Sequence, residues 1–196
     1  MTDWLRDPEK IRLRRELLPR RRALTEAQRA QMSRDLFAMV QKSGFYAKAR
    51  NIFCYLSLPE EVQTDCFLAE MLSAGKKVFV PLITGRGRME AVQLFSLQDL
   101  LPDAYGIRTV REDRRHLCPP EKIDCIIVPG AAFGPKGERL GMGGGYYDRF
   151  FLRAVNAFRA GVAFSCQLAE GIPMHSHDGK VDVIVTEKEI IACKEN

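Results

Sequence analysis

The six cysteines of this sequence, at positions 54, 66, 118, 125, 166 and 193, include no Cys-x-x-Cys pair, which argues against a zinc knuckle and a thioredoxin motif. Cys54, Cys125 and Cys166 stand in apolar runs, so reduced, buried thiols are expected. No apolar run is long enough to span a bilayer, and the opening Met-Thr-Asp-Trp-Leu-Arg has no apolar signal core. A cytoplasmic protein without membrane contact is expected. No Ser/Gly or Pro-rich linker, low-complexity tract or repeat divides the 196 residues, so a single domain over 1–196 is expected. There is also no Gly-x-x-x-x-Gly-Lys-Ser/Thr run, which excludes a Walker loop.

What the chain does have is concentrated between Arg139 and Phe150, in Arg-Leu-Gly-Met-Gly-Gly-Gly-Tyr-Tyr-Asp-Arg-Phe. Four of the fifteen glycines fall within five positions, at Gly141, Gly143, Gly144 and Gly145. Such a cluster costs backbone entropy and implies a path closed to residues with a Cβ. Ile123 to Val128 before it reads as a buried strand, and Tyr146 to Val155 after it as a helix. Strand, glycine loop, helix is the order of a phosphate site, in which backbone N–H groups and a helix N-terminus face an anion. Tyr146 stands where a dinucleotide fingerprint needs its third glycine, so that motif does not fit. The alternative is a tight glycine turn beside a core helix, which leaves Arg139, Asp148 and Arg149 without a purpose.

Net charge is +5, and its location matters more than its size. Eight basic residues between Arg6 and Arg22 face only Asp7, Glu9 and Glu16, while the remainder is balanced at 22 against 22. The positive potential therefore sits on one N-terminal segment suited to a phosphorylated ligand or a polyanion. Asp7-Pro8-Glu9 starts a helix there, about 7–24, with Ile11, Leu13, Leu17, Leu18 and Leu24 on an apolar side and Lys10 and Arg14 sharing another face. Pro19 predicts a break near Leu18. Thr25-Glu-Ala-Gln28 is a capping box for a second helix to about Lys42, with Met32, Leu36, Met39 and Val40 inward and Ser43-Gly44 ending it.

Further on, Asn51 to Leu58 reads as a strand, Pro59 to Thr64 as a loop, and Asp65 to Ser73 as a helix capped by Thr64 and stopped by Gly75. Lys77 to Ile83 is a second strand and Met89 to Phe95, after the Gly85-Arg-Gly87 turn, a third. Ser96 to Pro120 gives no assignable pattern. Strands resume at Ile123 to Val128, Ala160 to Phe164 and Val181 to Thr186. The β, α, β order predicts an α/β fold with a mostly parallel sheet, whose ligands bind beyond the carboxyl ends of strands. Glu61 and the glycine loop fall at such ends.

These features resemble the 5-formyltetrahydrofolate cyclo-ligase family, also called 5,10-methenyltetrahydrofolate synthetase. The resemblance is carried by Lys10 with Arg14, Leu56 to Thr64, Val128-Pro-Gly-Ala-Ala-Phe133, Gly137 to Arg149, and His177-Asp178 through Thr186. It implies a single three-layer α/β/α domain and a cytoplasmic ligase that uses ATP and Mg²⁺ to close 5-formyltetrahydrofolate into 5,10-methenyltetrahydrofolate. It also implies residue roles. Lys10, Arg14, Arg139 and the stretch Leu140, Gly141, Met142, Gly143, Gly144, Gly145, Tyr146 and Tyr147 are implied to bind ATP. Leu56, Glu61 and Tyr146 are implied to meet the folate. Asp148 and Asp178 are the implied Mg²⁺ carboxylates, and Arg139, Tyr146 and Asp148 the catalytic set.

Each role has a plainer competitor: a solvated basic helix for Lys10 and Arg14, a helix-end ion pair for Asp148, a turn aspartate for Asp178. Glu60 reads as a solvent residue and Tyr147 as a core candidate. His175 and His177 form a His-x-His pair with no third nitrogen or sulfur ligand nearby, a poor transition-metal site. The chain departs from the family pattern at Gly134, where Asp is common, and at Arg108-Thr-Val after Gly106, where Glu-Pro is common. Those departures motivate a catalytically silent relative as one alternative. A nucleic-acid binder using the Arg6 to Arg22 helix is another. The expectation is a monomer acting on ATP and 5-formyltetrahydrofolate, without nucleic acid.

Overall fold

The computed structural model describes residues 7–102 and 108–193; Arg6 and Gly106 lie outside them. The chain opens on α1 (Pro8–Arg22), whose N-cap Asp7 accepts hydrogen bonds from the Glu9 and Lys10 amides. The helix does not break near Leu18. Pro19 lies in its last turn, so only one intrahelical bond is forgone, and the Pro19 carbonyl still accepts from the Ala23 amide at 2.9 Å. The burial of Leu17, Leu18 and Arg21 around it holds the turn in place. The predicted capping box opens α2 (Glu26–Lys42), and Ser43 caps a short α3 (Gly44–Lys48) that the Ser-Gly stop signal concealed.

Four parallel pairings make the centre of an eight-stranded sheet. Strand β1 (Asn51–Cys54) lies between β2 (Lys77–Gly85) and β7 (Cys125–Val128); β7 pairs with β10 (Phe158–Val162), and β10 with β11 (Val183–Val185). Antiparallel strands finish both edges: β3 (Arg88–Leu94) and β6 (Leu117–Cys118) beyond β2, and β12 (Ile190–Ala192) beyond β11. The unassigned Ser96 to Pro120 segment holds β6 and a small ribbon of β4 (Leu100–Pro102) with β5 (Arg108–Val110).

Alternation along the strands builds two cores. Ile52, Cys54, Cys125 and Ile127 face α2, α3 and α4 (Asp65–Ser73), where Phe37 stacks on Phe67 at 4.2 Å. Phe53, Ile126 and Val128 face the other way, onto α5 (Tyr146–Phe151), where Phe53 stacks on Phe150 at 4.6 Å. These are the three layers expected. α1 closes a third cluster, in which Leu17 and Leu18 meet Ala131, Ala132, Leu140 and Ile172. Among the described residues no helix is long and apolar enough to cross a membrane.

Several boundaries differ from expectation. β1 stops at Cys54 rather than Leu58, because the following residues curl into a loop held by Tyr55 Oη on the Val62 carbonyl (2.7 Å). Thr64 does not cap α4 with its side chain; its hydroxyl accepts from the Ser57 amide, and its own amide donates to Ser57 Oγ. α5 has six residues and ends at Phe151, not Val155. Beyond it, Arg153 reaches across to Glu90 on β3 at 2.6 Å. So short a helix adds little dipole of its own, and the burden of meeting an anion falls on the loop.

Candidate active site

β1 is flanked by β2 on one side and β7 on the other, so connections leave it in opposite directions. Parallel sheets form crevices at such a point, beyond the carboxyl ends. The chain here does so: a cleft of about 830 Å³ is lined by Tyr55, Leu56 and Glu61 after β1, by Pro129 and Gly130 after β7, and by residues 139–148. Lys10 and Arg14 of α1 and Asp178 complete the wall at the glycine-loop end.

That end is built from two cation–carboxylate pairs. Arg139 stands on β9 (Arg139–Leu140), which pairs with β8 (Ala132–Phe133). Its side chain is buried and donates from Nη2 to Asp148 Oδ1 at 2.6 Å. The guanidinium carbon lies 5.5 Å from the Tyr147 ring centre, and Nε has no protein partner. An unmet N–H this deeply buried is rare in a native interior. The second pair joins Lys10 Nζ to Asp178 Oδ2, which also accepts from the His175 amide at 2.6 Å. Burial pushes the Asp178 carboxyl up, but the His175 amide and the Lys10 charge together hold it below the usual carboxylate value.

The glycine loop is tied between these pairs. Arg14 Nε donates to the Gly141 carbonyl at 2.7 Å, and Arg149 Nη1 to the Gly144 and Gly145 carbonyls at 3.1 and 3.0 Å. Gly143 and Gly145 have φ of 94° and 64°, the left-handed region that a Cβ disfavours. Carbonyls held by arginines leave the loop's N–H groups to serve the cleft. Tyr147 sits between Phe53 and Phe151 at 6.3 and 6.0 Å, and burial pushes its phenol far above the ordinary value. It is a core residue that also reaches the cleft. Tyr146 lines the cleft as well.

Two carboxylates, Asp148 and Asp178, share this wall, and the Gly179 amide donates to Asp148 Oδ1 at 3.2 Å. No cluster of three or more His, Cys, Asp or Glu residues able to hold a metal occurs among the described residues. A two-carboxylate wall does not suit a transition metal, but it fits Mg²⁺, which takes one or two carboxylates and fills its octahedron with waters and phosphate oxygens. His175 and His177 stack at 5.5 Å, and His175 Nε2 meets Asp7 Oδ2 at 2.7 Å, so His175 ties down the start of α1.

The rest of the cleft is lined mainly by apolar residues, with Glu61 as its acid and Arg86, Arg108 and Arg115 as its cations. Glu61 accepts from the Leu58 amide through Oε2 at 3.0 Å, and burial raises its carboxyl above the ordinary value despite the nearby Arg21 charge. Leu56 lines the cleft beside it. Glu60 is not a free solvent residue: it receives Arg21 at 2.8 Å and Arg22 at 2.9 Å. Of the two departures, Arg108 lines the cleft and is gripped by Asp65 through two hydrogen bonds of 2.7 and 2.8 Å. Gly134 lies in the β8–β9 turn, bonded to the Glu138 carbonyl, and does not line the cleft.

The residues to which the resemblance gave ATP, folate or metal roles all line this one cleft, whereas Gly134, His175 and His177 do not. Arg21 was passed over because it stands inside Arg20-Arg21-Arg22, where nothing in composition separates it from its neighbours. Helical spacing was the available signal, since Lys10, Arg14, Leu17, Leu18 and Arg21 fall on one face.

Residues 6–187 match the model of the 5-formyltetrahydrofolate cyclo-ligase family. A probable 5-formyltetrahydrofolate cyclo-ligase of Schizosaccharomyces pombe is 33% identical over 162 residues, covering 74% of this chain and 79% of the relative. The 5-formyltetrahydrofolate cyclo-ligase of Mus musculus is 32% identical over 186 residues, covering 89% and 92%. The solution structure of 5,10-methenyltetrahydrofolate synthetase from Aquifex aeolicus superposes with a TM-score of 0.84 at 32% identity, covering 95% of this chain and 94% of that one. The chain belongs to the 5-formyltetrahydrofolate cyclo-ligase family.

Proposed function

We propose that the chain catalyses the ATP-dependent closure of 5-formyltetrahydrofolate to 5,10-methenyltetrahydrofolate, with ADP and phosphate as the other products. The observation that carries the reading is that one continuous cleft holds both a phosphate cradle and a buried carboxylate among apolar residues. The reaction needs both. A formyl amide is a poor electrophile because its nitrogen donates into the carbonyl. Transfer of the γ-phosphoryl group to the formyl oxygen gives an iminium phosphate and ADP. N10 then attacks the formyl carbon, loses its proton, and phosphate leaves with the original formyl oxygen. The protein's contribution is alignment of two substrates and neutralisation of phosphate charge.

On this reading Lys10, Arg14, Arg139 and the N–H groups of residues 140–147 hold the triphosphate, and Tyr146 lies between the two substrates. Glu61 grips the amino-pyrimidine edge of the pterin through two hydrogen bonds, with Leu56 beneath the ring. Asp148 and Asp178 are the residues that would hold Mg²⁺, which when bound offsets the charge of the transferring phosphoryl group. Arg139 and Lys10, paired with those carboxylates in this structure, would supply positive charge to the phosphates beside such a metal.

What supports this reading over the nucleic-acid alternative is that Lys10 and Arg21 are buried and that the exposed Arg12 and Arg20 lie beside Glu16. Six cysteines without a disulfide agree with a reducing, cytoplasmic setting, and a monomer remains the expected state. The test is near-ultraviolet absorbance of the methenyl product after mixing protein, 5-formyltetrahydrofolate, Mg²⁺ and ATP. An ATP-dependent rise is expected. Binding of both substrates without any rise would instead favour a silent relative, with Arg108 the first residue to exchange.

A further inference from the structure

The same helix that brings Lys10 and Arg14 to the phosphate end carries Arg21 to the folate end, about 16 Å along its axis from Lys10 and about 10 Å from Arg14 at 1.5 Å per residue. Arg21 is only 2% exposed. Its Nη2 is locked on Glu60 Oε1 at 2.8 Å, its Nη1 faces Glu61 Oε1 at 3.7 Å, and its Nε has no protein partner. Glu60 is fixed in turn from outside by Arg22 at 2.9 Å. The Leu58 amide holds the other oxygen of Glu61. Burying a guanidinium costs several kcal/mol unless it is paired, and anchoring a loop needs no charge at all. A charged group kept here therefore has a use beyond packing.

We propose that Arg21 is a positioning residue: locked by Glu60, it fixes the direction of the Glu61 carboxylate and supplies its counter-charge, so that Glu61 meets the substrate's amino-pyrimidine edge as an aimed, ionised acceptor. The inference rests on the reading of Glu61 as the folate contact. The groups facing Glu61 are Arg21 from α1, Glu60 beside it, and the buried phenols of Tyr55 and Tyr147. Arg21 is the only cation among them. Its removal leaves the Leu58 amide to favour the ionised form alone against burial and Glu60, so Glu61 protonates at a higher pH, and a protonated carboxyl can accept only one of the two pterin hydrogen bonds.

The experiment compares wild type, Arg21→Met, Arg21→Lys and Glu61→Gln by titration calorimetry with 5-formyltetrahydrofolate and, separately, with ATP and Mg²⁺, from pH 5.5 to 8.5. Arg21→Met is expected to weaken folate about tenfold, roughly the worth of one close charge contact. ATP affinity should stay within twofold, and the acid limb of the folate profile should move to higher pH. Arg21→Lys keeps the charge without the fork; it should hold the wild-type acid limb and recover part of the affinity. If Arg21→Met does not fold, Arg21→Lys decides alone, since unchanged folate affinity in that variant contradicts positioning by the fork. A folded Arg21→Met with wild-type folate affinity and pH profile, or with folate and ATP weakened equally, overturns the proposal. Wild type failing to bind folate, or Glu61→Gln binding like wild type, strikes the reading of the site instead.

Discussion

The two ends of the cleft satisfy their charges in opposite ways. At the glycine-loop end, Arg139–Asp148 and Lys10–Asp178 are complete ion pairs before any ligand arrives, and the Asp178 carboxyl is held low. At the folate end a single carboxylate, Glu61, sits among apolar groups with its nearest cation at 3.7 Å, and burial holds it high. On the proposed reading, the carboxylates of the first arrangement would serve a metal and its cations a polyphosphate. The second is suited to a neutral ring edge that brings N–H donors of its own. Substitutions at the two ends should therefore separate cleanly in their kinetics.

The largest separation is expected from Asp148→Asn. If Asp148 holds Mg²⁺ as proposed, its loss should lower kcat about 10³-fold while 5-formyltetrahydrofolate binding persists, a size typical of removing one charge-stabilising group. Turnover and folate calorimetry check both halves, and equal loss of the two would erase the distinction between the ends. Next in size is Glu61→Gln, which should raise the KM for folate about 30-fold with the KM for ATP near wild type, roughly the worth of a charge-assisted hydrogen bond.

Acidity sharpens the same contrast. Glu61 takes up its proton at a higher pH than a free glutamate, because burial disfavours the charged form. Folate affinity should thus fall first as pH drops, while the phosphate end, with its depressed Asp178, holds its charge to lower pH. Initial rates against both substrates at each pH measure this; a KM for ATP that rises before the KM for folate would contradict it. Gly145→Ala imposes a Cβ at φ of 64°. It should cost about 1–2 kcal/mol in the loop and raise the KM for ATP about tenfold, leaving folate unaffected. The smallest effect belongs to Pro19→Ala, at an exposed position outside the cleft lining, which restores an N–H inside α1 and should raise stability by about 1–2 kcal/mol without changing either KM. Thermal denaturation checks it, and a lower midpoint would mean that the proline shapes the helix to its seat.

The phosphate end could be read from the sequence because its parts are local. Gly141 to Gly145, Arg139 and Asp148 lie within ten residues, and a glycine cluster has few other physical reasons to exist. The folate end is assembled from distant segments, and only the resemblance to the family singled out Leu56 and Glu61. Nothing in Arg20-Arg21-Arg22 announces that the middle residue turns inward, and nothing in Pro-Glu60-Glu61 says that the two acids divide between Arg22 and the cleft. The central strands were legible from their apolar runs. The edge strands β6 and β12 and the separate β8–β9 ribbon, two or three residues to a strand, were not, because so short a stretch carries no period and exists only through its neighbour.

The most direct test of the account follows one oxygen atom. 5-Formyltetrahydrofolate labelled with heavy oxygen in its formyl group is turned over with unlabelled ATP, and the released inorganic phosphate is examined by mass spectrometry. Phosphorylation of the formyl oxygen predicts one labelled oxygen in each phosphate, in step with methenyl product formed. Label appearing in water, with phosphate unlabelled, would contradict the phosphoryl-transfer chemistry assigned to this cleft.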